Sequence, residues 1–456
     1  MDFYYNDFVT RGFYRPNCFE VLGVVSPSEF TLLQNKYDKD GDGVDRALQS
    51  LRQRTTPEYF RKVYRAQTGA LSYSKKVFPT YKFIMPDALS DDWLSTVDWH
   101  KKYPTRDHSL HQTLTAYIVA NLLGNGNEEK AFALPDGGNL LGFCSEKMLT
   151  GHRMKYFRDY AKSMGIDFDD IHPDVLKQWA KDVFYEAAVI SALFHDMGYP
   201  WEYVNRLAKS IEAAEYSESM NLVCNAFLTK DSIKNRLLIY PFYGYSETIM
   251  KHASTQIEKR VVRLMERALR ETHGMPGAIG FMCLNDKIQR YRQIPRFKEA
   301  SYRLILDWAA VGIMMHDMVG LYWDDKDKKT PKNSFLRLSF DLDPLSSIVS
   351  MADILEEFYR PYARFKMVSN KKKEKKVELC YDFPCVKTEM YLQGSILQIR
   401  YIYKEKKEAA LSRKRRKNEV KDYFAPSTGF IDLSTMGITS VECDTEMIKK
   451  EDSCLA

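Results

Sequence analysis

The stretch EAAVISALFHDMGYP, Glu186–Pro200, decides how the chain is read. It predicts an apolar helix that ends in His195 and Asp196 and is stopped by Gly198 and Pro200. Histidine offers a neutral nitrogen, and aspartate a charged oxygen able to bridge two ions, so the adjacent pair suits the meeting point of a dinuclear metal centre. A His-Asp dipeptide by itself is common and reads equally as the polar end of a helix. The surrounding sequence has to decide between the two.

Working outward, RDHSLHQTLTAYIVANLLG places His108 and His111 three apart on an amphipathic helix. His111 starts the apolar periodicity and is the ligand candidate, whereas His108 reads as a cap or as a group that orients a ligand by hydrogen bonding. Downstream, His273 precedes Gly274 in ETHGMPGAIGFM, His316 ends WAAVGIMMH, and Asp353 interrupts the helix IVSMADILEEF. Taken singly, each is a satisfied core histidine or a helix-surface aspartate. Together they would bury several polar groups, each costing several kcal/mol unless paired or bound to metal.

In that order the residues resemble the HD superfamily, whose helical domain presents His, then His-Asp, then Asp, with two further histidines in its dinuclear members. The match covers His111, His195 with Asp196, His273, His316 and Asp353, somewhat over half the chain, and HGMPGAIG, GIMMHDM and DPLSSIVSMADILEEF look like bacterial members of uncertain substrate. The resemblance implies an all-helical domain holding two divalent transition-metal ions (Mn, Fe, Ni or Zn). One would be held by His111, His195, Asp196 and Asp353, the other by Asp196, His273 and His316, with Asp196 as the bridging, catalytic carboxylate. It further implies a metal-dependent phosphohydrolase acting on a nucleotide or related phosphoester. Two other readings use the same ligands: a di-iron oxygenase similar to myo-inositol oxygenase, and a binding or sensing module with a structural metal.

Several features depart from the family pattern. Tyr199 stands where many phosphohydrolases of this family carry Lys, and Tyr199 with Trp201 reads as packing or as a stacking surface for a base. Arg360, seven residues past Asp353, is expected two turns along the same helix face, as a source of positive charge or an ion-pair partner of Glu356. The second dipeptide, His316-Asp317, offers an alternative register that leaves His195-Asp196 unexplained. The 84 residues from His111 to His195 are a long spacing and suggest a capping insertion.

Composition frames the rest. A chain of 456 residues with 45% hydrophobic and 13% aromatic content excludes wholesale disorder and allows two or three domains. The predicted architecture is mainly α: an N-terminal extension over 1–100, the helical HD domain over 101–365, and a small α+β appendage over 366–456 ending in a loose tail, DTEMIKKEDSCLA. No signal peptide and no run of about 18 apolar residues is visible, and the eight cysteines show no ligand or framework spacing, so reduced thiols and a cytoplasmic setting are expected. In the extension, DKDGDGVDRALQ (38–49) imitates a calcium loop but has Gln49 where the bidentate Glu belongs, and reads first as a solvated turn. The net charge of +6 is concentrated in residues 403–421, where nine Lys or Arg face three Glu. That run reads as a solvated helix, or as a contact for nucleic acid or another polyanion.

Overall fold

A computed structural model describes residues 1–4, 13–14, 54–55, 108–151, 154–196, 198, 267–291, 296–324, 330–358, 362–369, 375–382 and 385–448. The acidic loop 38–49, Tyr199, Trp201 and Arg360 lie outside the described residues, and of His108 only the backbone is described, as the first residue of a helix.

The chain enters through β1 (Asp2–Tyr4) and a short antiparallel pair of β2 (Phe13–Tyr14) with β3 (Arg54–Thr55). The helical block follows as α1 (His108–Leu122), α2 (Leu140–Thr150), α3 (Lys155–Ser163) and α4 (Pro173–Phe194), then α5 (Gly274–Tyr291), α6 (Arg296–Met315) and the short α7 (Val319–Trp323). After β4 (Leu338–Ser339) comes α8 (Pro344–Leu355). Strands β5 (Tyr362–Ser369) and β6 (Lys375–Asp382) pair antiparallel, and β7 (Cys385–Gln393), β8 (Ile396–Tyr403), α9 (Lys406–Phe424), β9 (Ile431–Asp432) and β10 (Ser440–Met447) complete the described chain. The described part is mainly helical, as the periodicity predicts.

The central element is α4. Proline at its first turn supplies a fixed helical φ where no N–H is needed, and from Val183 to Phe194 every residue is buried. A helix apolar on all sides must be packed on all sides. Accordingly α4 is surrounded by α1, α2, α6 and α8. Each large apolar side chain enclosed there contributes roughly 1.5–3 kcal/mol. The acidic residues that interrupt the two greasiest stretches, Glu186 and Asp307, are buried too, and Asp307 accepts a 2.6 Å hydrogen bond from the Tyr160 hydroxyl of α3.

Two expectations need correction. The C-terminal unit is more than an appendage, because its sheet has the order β1-β7-β8-β10 and thus recruits the first residues of the chain. Strands β7 and β8 form a hairpin, while β10 runs parallel to β8 with α9 as the crossover. The supposed tail is strand from Asp444 to Met447, held by full register with β8. Its alternation of exposed polar and inward residues supplies one packed face, which the composition of DTEM conceals. The parallel pair of β4 with β9 further ties this unit to the helical block.

The basic run forms α9 as predicted, yet Arg416 is fully buried and Arg415 pairs with the buried Glu357. Arg413 meets Asp444 and the Thr445 carbonyl. Three of the four cations in the densest part, RKRR, therefore face partners within the chain, because the helix packs on the sheet. Among the described residues no helix is long and apolar enough to cross a membrane, and Cys144, Cys385 and Cys443 are free thiols.

Candidate metal centre

Three apolar helices end or begin at one point. His195 follows the last residue of α4, His316 the last residue of α6, and His273 immediately precedes α5. His111 lies in the first turn of α1, and Asp353 in the last turn of α8. Glycines permit this convergence: a Cβ on Gly198 would stand 1.8 Å from the His273 carbonyl oxygen, so the turn after Asp196 lies directly against the start of α5. The glycine-rich text HGMPG thus marks close backbone approach.

All six ligand candidates come together. His111 Nε2 and His195 Nε2 are 3.1 Å apart, and His273 Nε2 and His316 Nε2 are 3.0 Å apart. Asp353 Oδ1 stands 3.0 Å from His111 Nε2 and 3.9 Å from His195 Nε2. Asp196 lies between the two histidine pairs. Its Oδ1 is 3.1 Å from His273 Nε2, 3.3 Å from His195 Nε2 and 3.8 Å from His316 Nε2, and its Oδ2 is 3.6 Å from His111 Nε2. His111, His195, His316 and Asp196 are essentially sealed from solvent, whereas Asp353 is 17% exposed.

The other ring nitrogens fix the chemistry of this cluster. His195 Nδ1 is 2.7 Å from the Ala192 carbonyl oxygen and His316 Nδ1 is 2.6 Å from that of Ile313. A carbonyl only accepts, so both rings carry their proton on Nδ1. His111 Nδ1 donates to Glu356 Oε2 at 2.5 Å, and His273 Nδ1 to Asp317 Oδ2 at 2.9 Å. With Nδ1 engaged, each ring turns its Nε2 toward the others. Four Nε2 atoms and two carboxylates converge there, and a cation among them would be held by nitrogen and oxygen donors whose far sides are already fixed. Nitrogens bound at about 2.1 Å to one ion lie about 3.0–3.4 Å apart for octahedral to tetrahedral angles. The observed nitrogen separations meet that demand, and two overlapping groups, His111 with His195 and Asp353, and His195 with Asp196 and His316, can each hold an ion.

Electrostatics agree with a neutral ring at the centre. Burial holds His195 down to about 3, against the pull of Asp196 and with help from His316 and His111. Burial pushes the Asp317 carboxyl up, but His273 outweighs it through charge and hydrogen bonding and the net shift is downward. For the metal-free protein the His195 shift has a definite sign. Between about pH 6.5 and 3 the unfolded chain binds a proton that the native state refuses, so stability rises with pH across that window and falls on acidification. Chemical denaturation of metal-free protein at a series of pH values should show a loss approaching roughly 1.4 kcal/mol per pH unit from this group. A flat profile between pH 6.5 and 4 would contradict a buried neutral His195.

Sequence reasoning did not find Glu356 and Asp317 as the partners of ligand histidines. Glu356 was expected as an ion-pair partner of Arg360, which lies outside the described residues; α8 ends at Leu355, and Glu356 turns back to His111. The available signal was an acidic pair, Glu356-Glu357, inside an otherwise apolar segment; both are fully buried. The second His-Asp dipeptide is used differently from the first: Asp196 turns toward the Nε2 atoms, while Asp317 accepts from the Nδ1 and backbone N–H of His273. No family model, curated protein or solved structure matches the chain.

Proposed function

We propose that the chain is a metal-dependent phosphohydrolase of the HD superfamily, with a dinuclear centre in which Asp196 bridges the two histidine pairs. The observation that carries this reading is the convergence of four histidine Nε2 atoms with Asp196 and Asp353 in a buried pocket. His111, His195, Asp196 and Asp353 would hold one ion, and Asp196, His273 and His316 the other. When bound, two divalent ions supply Lewis acidity, lower the pKa of a water towards neutrality and neutralise charge building on a phosphoryl group. The protein's part is orientation. Glu356 and Asp317 hold two rings by their Nδ1 protons, the Ala192 and Ile313 carbonyls hold the other two, and the apolar walls exclude bulk water. A nucleotide or related phosphoester would approach on the side of Asp353, the most exposed of the six.

Protein purified without chelator should carry about two equivalents of transition metal by elemental analysis and release phosphate from one member of a nucleotide panel. Metal-free protein that cannot be reloaded with manganese, iron, nickel or zinc would sink the proposal.

One observation favours a second reading, the di-iron oxygenase. Four carboxylates, Asp196, Asp353, Glu356 and Asp317, stand in or directly behind the ligand set. When ionised they balance the charge of two dications before an anionic phosphoester arrives, and an anionic surround favours iron in its higher oxidation state. Oxygen uptake without phosphate release would select this reading.

A further inference from the structure

The last turn of α8 does two things for the metal centre: it carries Asp353, and it leads into Glu356, which holds the His111 ring. A helix leaves its final carbonyls without intrahelical partners. Here they are answered from the C-terminal unit. The Ile354 carbonyl accepts from the Tyr401 hydroxyl at 2.8 Å and from Arg416 Nη1 at 3.1 Å, and the Leu355 carbonyl accepts from the Thr388 hydroxyl at 3.3 Å. Glu357, next to Glu356, accepts from the Tyr403 hydroxyl at 2.9 Å and pairs with Arg415 and Arg416. Arg416 and both tyrosines are fully buried, and the Arg416 guanidinium lies over the Tyr401 ring at 5.3 Å.

This density of interactions exceeds what joining two units requires. A buried arginine is costly to desolvate and is held charged by the carboxylates of Glu357 and Glu419. An apolar side chain would fill the same space. What the cation adds is a directed bond to the end of the helix and to the residue beside Glu356, and a cation at a helix C-terminus also opposes the negative end of its dipole.

Resting on the metal-centre reading above, we infer that Arg416 is a positioning residue for the metal site. Together with Tyr401 and Tyr403 it fixes the end of α8, so that Asp353 and Glu356 meet His111 in coordinating geometry. The C-terminal sheet and helix thereby set how tightly the site holds its ions, although they supply none of the ligands.

The test is metal affinity in the full chain, measured with Mn²⁺ by competition against a chelator, together with the visible d–d absorption of the Co²⁺-loaded protein. Both are read well below the unfolding temperature. Arg416→Met should weaken Mn²⁺ binding about 10- to 100-fold and alter the Co²⁺ bands, as loss of a group that orients a ligand does. Arg416→Lys, which keeps the charge, should recover part of the loss. Lys414→Met, an exposed change on the same helix, should do nothing. Because Arg416→Met leaves Glu357 short of a partner and can fail to fold, Glu357→Gln/Arg416→Met and Tyr401→Phe/Tyr403→Phe provide second routes and should also weaken binding. Folded variants with wild-type Mn²⁺ affinity and an unchanged Co²⁺ spectrum overturn the positioning role while leaving the metal centre intact. Wild-type protein that binds neither ion overturns the metal centre itself.

Discussion

Replacing Asp196 with Ala should abolish turnover of a phosphoester substrate, by at least about 10³-fold or roughly 4 kcal/mol of barrier, while leaving helical content near wild type. The reason lies in its position. Among the described residues Asp196 is the one carboxylate within 4 Å of all four Nε2 atoms, at 3.1, 3.3 and 3.8 Å through Oδ1 and 3.6 Å through Oδ2. Its removal takes charge from both ion positions at once, whereas loss of Asp353 affects only the His111–His195 side. Asp196→Ala should therefore retain at most one equivalent of metal. Asp353→Ala should lose nearly as much activity but keep metal at the His273–His316 pair. Circular dichroism, metal content, phosphate release and oxygen uptake belong on the same preparations. Wild-type phosphate release by Asp196→Ala would end both enzymatic readings, and oxygen uptake that requires Asp196 without phosphate release would replace hydrolysis with oxygenation.

What was legible in the sequence follows from how local each signal is. The helix that ends at Phe194 was legible because a largely apolar run followed in sequence by Gly198 and Pro200 has few other uses. The six ligand candidates were picked out by their order, which resembles that of the HD superfamily; singly, each reads as a satisfied core histidine or a helix-surface aspartate. Their Nδ1 partners were not legible. Glu356 and Asp317 act across 245 and 44 residues of sequence respectively, and nothing in the local text says which way a carboxylate turns. The same holds for Arg416. Within RKRR all four cations look alike, and only the packing of α9 on the sheet separates the buried one from its exposed neighbour Lys414. The start of the tail, Asp444 to Met447, was misread because one edge strand with polar outward residues has the composition of a loose end, whereas residues 449–456 lie outside the described residues. The joining of β1 to β7 was invisible for a related reason: pairing between residues nearly 390 apart leaves no periodicity to read.

The glycine next to the metal pair gives the second large expected effect. Gly198→Ala should destabilise the protein by about 3 kcal/mol or more and lower metal affinity at least about 10-fold, although residue 198 coordinates nothing. A Cβ there would fall 1.8 Å from the His273 carbonyl oxygen and 2.7 Å from the Gly277 backbone nitrogen. Both neighbours are main chain, so no side-chain rotation relieves the clash, and α5 or the turn after Asp196 must move by an ångström or more. His273 is the residue at that junction. Moving it breaks its 3.0 Å approach to His316 and its hold on Asp317 through both Nδ1 and the backbone N–H. Gly320→Ala is the matched control: it is exposed within α7, its Cβ would meet nothing within 4 Å, and alanine should gain up to about 1 kcal/mol there. Urea denaturation and Mn²⁺ titration of the two variants decide the matter. If Gly198→Ala has wild-type stability and affinity, the turn and α5 are not in contact as described, and His273 loses its place in the centre.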